Sequence, residues 1–169
     1  MNAELLILRL VHILGGMFWI GTAVFMSFYL IPAAAEAGSA GGQVMANLAK
    51  RKLMVVLPIV AILTILSGAR LMQKVSDGFA PGYFRTASGH TYAISAVLAI
   101  LALIVGITIS RPAHLKAARL SQTAASDQTS KELIQAEIKA LHRRATMASM
   151  VVTIMVILAA AGMAIARYV

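Results

Sequence analysis

Four stretches of this chain are almost continuously apolar, and nearly all of its charged residues fall between or beside them. They cover about 5–31, 53–73, 87–110 and 145–167, and each is close to the roughly 20 residues that carry a helix across a bilayer. None shows the alternation of a half-buried strand, and in hydrocarbon only a helix or a closed barrel satisfies its own backbone. The pattern predicts an all-α integral membrane protein, a single domain over 1–169 built as an up-down-up-down four-helix bundle.

The polar stretches set the connections. Pro32 is expected to end the first helix, and a small, Gly-rich loop runs from there to Lys50. The second loop carries Asp77-Gly78 and Pro81-Gly82, both turn signals, with Tyr83 and Phe84 suited to the headgroup level. Pro112 is expected to break the third helix. Thr129 with Glu132 reads as a capping box, and Leu133, Ile134, Ile138 and Leu141 follow at helical spacing. An amphipathic helix over about 130–144 is therefore predicted to lead into the fourth span. The first apolar stretch is too long for a cleaved leader and lacks a small-x-small cleavage signal, so it is read as a retained span.

Composition agrees with this reading. Hydrophobic residues make up 60% of the chain and charged residues only 12%, with mean hydropathy +0.84, too apolar for a soluble domain of this size. The net charge is +9, but the basic residues are not interleaved with aromatics, which argues against nucleic acid. They report topology instead. Ten of the fifteen lie in the first and third loops, from Lys50, Arg51 and Lys52 to Arg143 and Arg144, so these loops are expected in the cytoplasm and both termini outside, in a bacterial inner membrane. With no cysteine, disulfides, thiolate metal sites and covalent haem attachment are excluded.

Two ionisable side chains then stand out. His12 lies about two turns into the first stretch, and His90 about one to two turns into the third. In this topology the first and third helices are parallel, so both imidazoles come to one level. A histidine in hydrocarbon usually has a partner or a ligand. Diagonal helices in a compact bundle lie roughly 12 to 14 Å apart, a gap that suits two imidazoles with a haem iron between them. Gly15, Gly16, Gly89 and Ala93 keep the surroundings small, although glycine also serves close helix packing. Arg9 shares a face with His12, while Arg70 and Arg85 return to the same level, where guanidinium groups suit haem propionates. Trp19 and Tyr92 are candidates to line the pocket. His114 and His142, among basic residues on the other side, are expected to be solvated.

Ten methionines raise copper, since thioether and imidazole suit Cu(I). Met17, Met26, Met147, Met150 and Met155 are spread across the bilayer, and Met163 alone is expected near the histidines, as an alternative axial ligand. No nucleophile elbow or phosphate loop is present, and no carboxylate lies mid-span, which argues against hydrolase, ATP-driven and proton-carrier chemistry.

The segment LRLVHILGGMFWIGTAVFMSFYLIPA, with His12, Trp19 and Gly21, and the segment KRKLMVVLPIVAILTILSGARLM, with Pro58 and Gly68, resemble the four-span membrane proteins related to HemJ, the haem-binding protoporphyrinogen oxidase. They are also similar to copper-resistance D type proteins. The resemblance implies a helical bundle holding haem b through His12. The HemJ third helix carries a lysine soon after an aromatic-histidine pair, whereas Gly89-His90-Thr91-Tyr92 has none, so His90 stands in as second ligand. What carries over is haem binding and redox character rather than the substrate.

The resulting expectation is a haem b between His12 and His90, held with Arg9, Arg70, Gly16, Trp19 and Tyr92. The chain would act in electron transfer or as a membrane oxidoreductase, with a quinone, a porphyrinogen or a redox protein as partner. Ligation by both imidazoles leaves no open iron position and favours electron transfer. Two other classes stay open. One is copper handling or small-solute passage without haem, and the other is a structural subunit or homo-oligomer assembled through faces such as Ala160, Ala161 and Ala164.

Overall fold

The computed structural model describes residues 3–120 and 128–169, with side chains from 130 onward in the second segment. The Thr129 side chain of the expected capping box lies outside the described residues. Helix α1 (Ala3–Phe25) continues through a π-turn (Met26–Leu30) into α2 (Ile31–Glu36) and is followed by α3 (Gly38–Lys50). Helix α4 (Leu53–Val75) returns across the bundle. Helix α5 (Ala87–Val105) passes through a second π-turn (Gly106–Ser110) into α6 (Arg111–Leu120). Helix α7 (Gln128–Ile165) completes the chain with a short 3₁₀ turn. Four of these helical runs are long and apolar enough to cross a membrane, and the fold is an all-α bundle.

Burial is inverted relative to a soluble protein. The interior is built from small residues, among them Ala61, Ala99, Ala102, Ala145 and Ala159, with the hydroxyls of Ser27, Thr64, Ser67, Ser95 and Thr153. Trp19 is the one large aromatic in this core. Leu14, Met17, Leu66, Ile94 and Leu158 face outward. Small residues let helix backbones approach closely when lipid removes the hydrophobic drive for association, and the large apolar side chains are left to the hydrocarbon. At Gly15 an added Cβ would fall on the Thr64 hydroxyl, and at Gly162 on that of Ser95. These positions bring α1 onto α4 and α5 onto α7.

Cross-links fix the helix order. Glu4 pairs with Arg70 at 3.1 Å and Lys74 at 2.7 Å, so the start of α1 meets the end of α4 and the two run antiparallel. Ser110 hydrogen-bonds Ser149 at 2.7 Å, which sets α5 antiparallel to α7. The first and third spans each pack against the second and fourth, so they are diagonal to one another. Thr86 caps α5 by accepting from the Gly89 amide at 3.0 Å. The Asp77-Gly78 turn is present, with positive φ at both residues.

Neither Pro32 nor Pro112 ends its helix, contrary to the sequence expectation. Each follows a π-turn by two residues, Met26–Leu30 before Pro32 and Gly106–Ser110 before Pro112. A proline ring crowds the carbonyl four residues earlier and offers it no N–H. A locally widened turn accommodates the ring while the helix continues. The expected Gly-rich first loop is likewise mostly helical, as α3. At about 1.5 Å per residue the 38-residue α7 is about 57 Å long, well beyond a hydrocarbon core of about 30 Å. Its first half packs on α6, tied by Lys116 to Glu137 at 2.6 Å.

Candidate functional site

His12 is half-buried on α1, and its ring fills a notch on α4. A Cβ added at Gly68 would stand 2.6 Å from His12 Cε1 and 2.9 Å from Nδ1. The ring nitrogen Nδ1 lies 2.8 Å from the Thr64 carbonyl oxygen. A carbonyl only accepts, so Nδ1 carries a proton, and the tautomer with that proton alone has its lone pair on Nε2. Among the described residues no side chain or backbone group bonds Nε2. The same carbonyl also accepts from the Ser67 hydroxyl at 3.0 Å.

The other expected site residues are placed less closely together. His90 is exposed in the first turn of α5, with its amide bonded to the Thr86 carbonyl at 3.0 Å. It belongs to the diagonal span, and His12 turns onto α4, so the two rings are not brought face to face. Arg70 is engaged by Glu4 and donates to Gln73 at 2.6 Å, whereas Arg9 is exposed and makes no ion pair among the described residues. Gly16 and Tyr92 are half-buried. A Cβ at Gly16 would meet only Thr64 Cγ2, at an ordinary 3.8 Å. Met163 is half-buried on α7. No three histidine or carboxylate side chains gather as a metal site among the described residues.

Trp19 is buried, but it lines a cavity in the opposite half of the bundle rather than the surroundings of His12. This cavity measures about 130 Å³ and is walled by all four spans. Both π-turns contribute to it, through Met26, Ser27, Gly106 and Ser110. Its hydroxyls are satisfied among themselves. Ser27 meets Thr153 at 2.9 Å, Thr153 donates to the Ser149 carbonyl at 2.8 Å, and Ser110 meets Ser149 at 2.7 Å. Arg111 and His114 complete the lining. His114 is thus half-buried rather than solvated as expected, while His142 is exposed. Sequence reasoning passed over this site because alanines and serines in apolar helices read as packing. The matched prolines at 32 and 112 were the available signal.

No family model matches the chain, and neither the curated proteins nor the solved structures contain a significant match to it.

Proposed function

We propose that this chain is a membrane b-type haem protein with His12 as an axial ligand of the iron, working in electron transfer or as a membrane oxidoreductase. The observation that carries the reading is the bond from His12 Nδ1 to the Thr64 carbonyl. Metal-bound histidines characteristically donate their second N–H to a carbonyl or carboxylate, which fixes the tautomer, orients the ring and raises the basicity of the ligating nitrogen. His12 has this arrangement on a rigid helix pair, with Nε2 left for a ligand. What the His12 side would offer a haem iron is this one oriented imidazole nitrogen.

A bound haem supplies a one-electron ferric–ferrous couple. With a haem bound, the Thr64 carbonyl, by drawing on the Nδ1 proton, would make His12 a stronger donor to the iron. Arg9, one turn from His12 and unpaired, is the residue available to a propionate. Arg70 is already occupied by Glu4. His90 starts α5 on the same side of the bundle, and because it is exposed and does not face His12 its ring would have to turn inward to serve as the second ligand. A quinone, a porphyrinogen or a redox protein would exchange the electrons. The concentration of basic residues at the α3 and α6 end supports placing that end in the cytoplasm and both termini in the periplasm of a bacterial inner membrane.

The test is the absorption spectrum of the purified, haem-supplemented chain. A Soret band at about one haem per chain is expected, low-spin in the wild type and high-spin in His90→Ala, because losing one imidazole opens an axial position. An unchanged low-spin spectrum in His90→Ala removes that residue as a ligand, and colourless wild-type protein removes the reading.

A further inference from the structure

The cavity in the half of the bundle away from His12 has a chemistry of its own. Along α1, Ser27 lies fifteen residues beyond His12, roughly 22 Å further through the bilayer, so the cavity stands apart from the haem reading. Each hydroxyl on its wall has a neighbour, but the protons and the acceptors do not come out even. Thr153 donates its proton to the Ser149 carbonyl at 2.8 Å, so Ser27 is the donor in its 2.9 Å bond to the Thr153 hydroxyl. The Ser110 and Ser149 hydroxyls then have each other, at 2.7 Å, and neither has a further partner among the described residues. One of the two donates to the other, and the second proton has no acceptor. Ser110 is buried and Ser149 half-buried, and a hydroxyl proton withheld from both water and protein is costly. The pair calls for an acceptor oxygen inside the cavity.

The rest of the wall sets the size and character of what carries that oxygen. Trp19, Leu57, Ala61, Leu103 and Val152 are apolar, and no carboxylate is among the lining residues, which suits an uncharged ligand. The volume of about 130 Å³ holds no lipid chain, but it is close to the about 150 Å³ of an apolar cavity that takes up benzene. Space also remains beside the π-turn of the third span, since a Cβ at Gly106 would meet only Val152 Cγ2, at 4.0 Å. We infer that the cavity binds a single uncharged aromatic ring bearing one oxygen, a phenol. Its oxygen accepts from the Ser110–Ser149 pair, and its ring lies against the apolar wall toward Trp19. The phenol proton finds its own acceptor in the free lone pairs of the hydroxyl cluster.

Trp19 is the chain's single tryptophan and part of the same wall, so a heavy atom in the cavity reports occupancy through it. Para-bromophenol, added to the purified chain without haem in detergent micelles, is expected to quench Trp19 fluorescence saturably. Gly106→Leu, which fills the cavity from a backbone position with room for a side chain, should abolish the saturable quenching while the helical circular dichroism signal stays intact. Ser110→Ala and Ser149→Ala each leave one hydroxyl with its proton free, so each should bind para-bromophenol like the wild type. The double variant leaves no such proton and should bind about three- to tenfold more weakly, the loss expected for one neutral hydrogen bond. Bromobenzene, which has the ring without the oxygen, should not distinguish the double variant from the wild type. Quenching that rises without saturation, Gly106→Leu protein that is quenched like the wild type, or equal affinity of the wild type and the double variant for para-bromophenol would each overturn the inference. So would a single serine variant as weak as the double, or a loss for bromobenzene as large as that for the phenol.

Discussion

His12→Ala is expected to abolish the Soret band of the haem-supplemented protein while the bundle still forms. Among the described residues, His12 is the histidine of a span whose ring is held by a backbone group, through the 2.8 Å contact of Nδ1 with the Thr64 carbonyl. No neighbouring side chain could replace it at the Gly68 notch. The stability loss is smaller than the spectral one. One hydrogen bond worth about 0.5–1.5 kcal/mol disappears, and the ring leaves an unfilled space against Gly68, adding a cavity term. Ser67 still donates to the Thr64 carbonyl, so that acceptor is not orphaned. Visible absorption together with thermal unfolding in detergent separates the two losses. A His12→Ala protein that retains the full Soret band places the haem elsewhere.

The second large effect is expected at Gly68→Val. Its Cβ alone would stand 2.6 Å from His12 Cε1, too close for any pair of carbon atoms, and α4 is pinned on either side by the contacts of Gly15 with Thr64 and of Glu4 with Arg70. The ring must therefore leave its notch, with a destabilisation of about 1–3 kcal/mol for overpacking and loss of the bond that orients Nε2. Haem binding should fall to the level of His12→Ala. Combining His12→Ala with Gly68→Val exchanges bulk between two touching positions, so the stability lost in the double variant should be smaller than the sum of the single losses. Its Soret band should not return. That pattern divides the packing role of His12 from its role as a ligand, because one is restored by volume and the other only by an imidazole nitrogen.

Much of the architecture was legible in the sequence. The span predicted over 53–73 is α4, Leu53–Val75, and that predicted over 87–110 covers α5 with its π-turn, because long apolar runs in lipid have one solution. The diagonal placement of the first and third spans is set by packing, α1 and α5 each lying against α4 and α7. Proline was misjudged. At Pro32 and Pro112 the chain resolves the steric conflict by widening one turn rather than by stopping, and the choice depends on the packing of α2 and α6, which local sequence does not contain.

The candidate site was legible in part. That His12 is an inward-facing intramembrane histidine follows from its position. Which neighbour it meets does not, because helical period gives a side of α1 and not the identity of the helix across from it. The decisive partner is a backbone carbonyl at Thr64, opened to contact by Gly68, and carbonyls carry no sequence signature. The cavity was hidden for a related reason. Ala61, Ala102 and Gly106 look the same in sequence whether helices close over them or stand apart, and only the paired π-turns decide between those outcomes.

The most direct measurement is nitrogen hyperfine spectroscopy of the ferric haem-loaded chain with its histidines labelled with ¹⁵N. Coupling of the iron to a histidine nitrogen that disappears in His12→Ala, and persists in His114→Ala and His142→Ala, is the predicted result. Iron that couples to no histidine nitrogen, or a coupling that survives replacement of His12, would contradict the account.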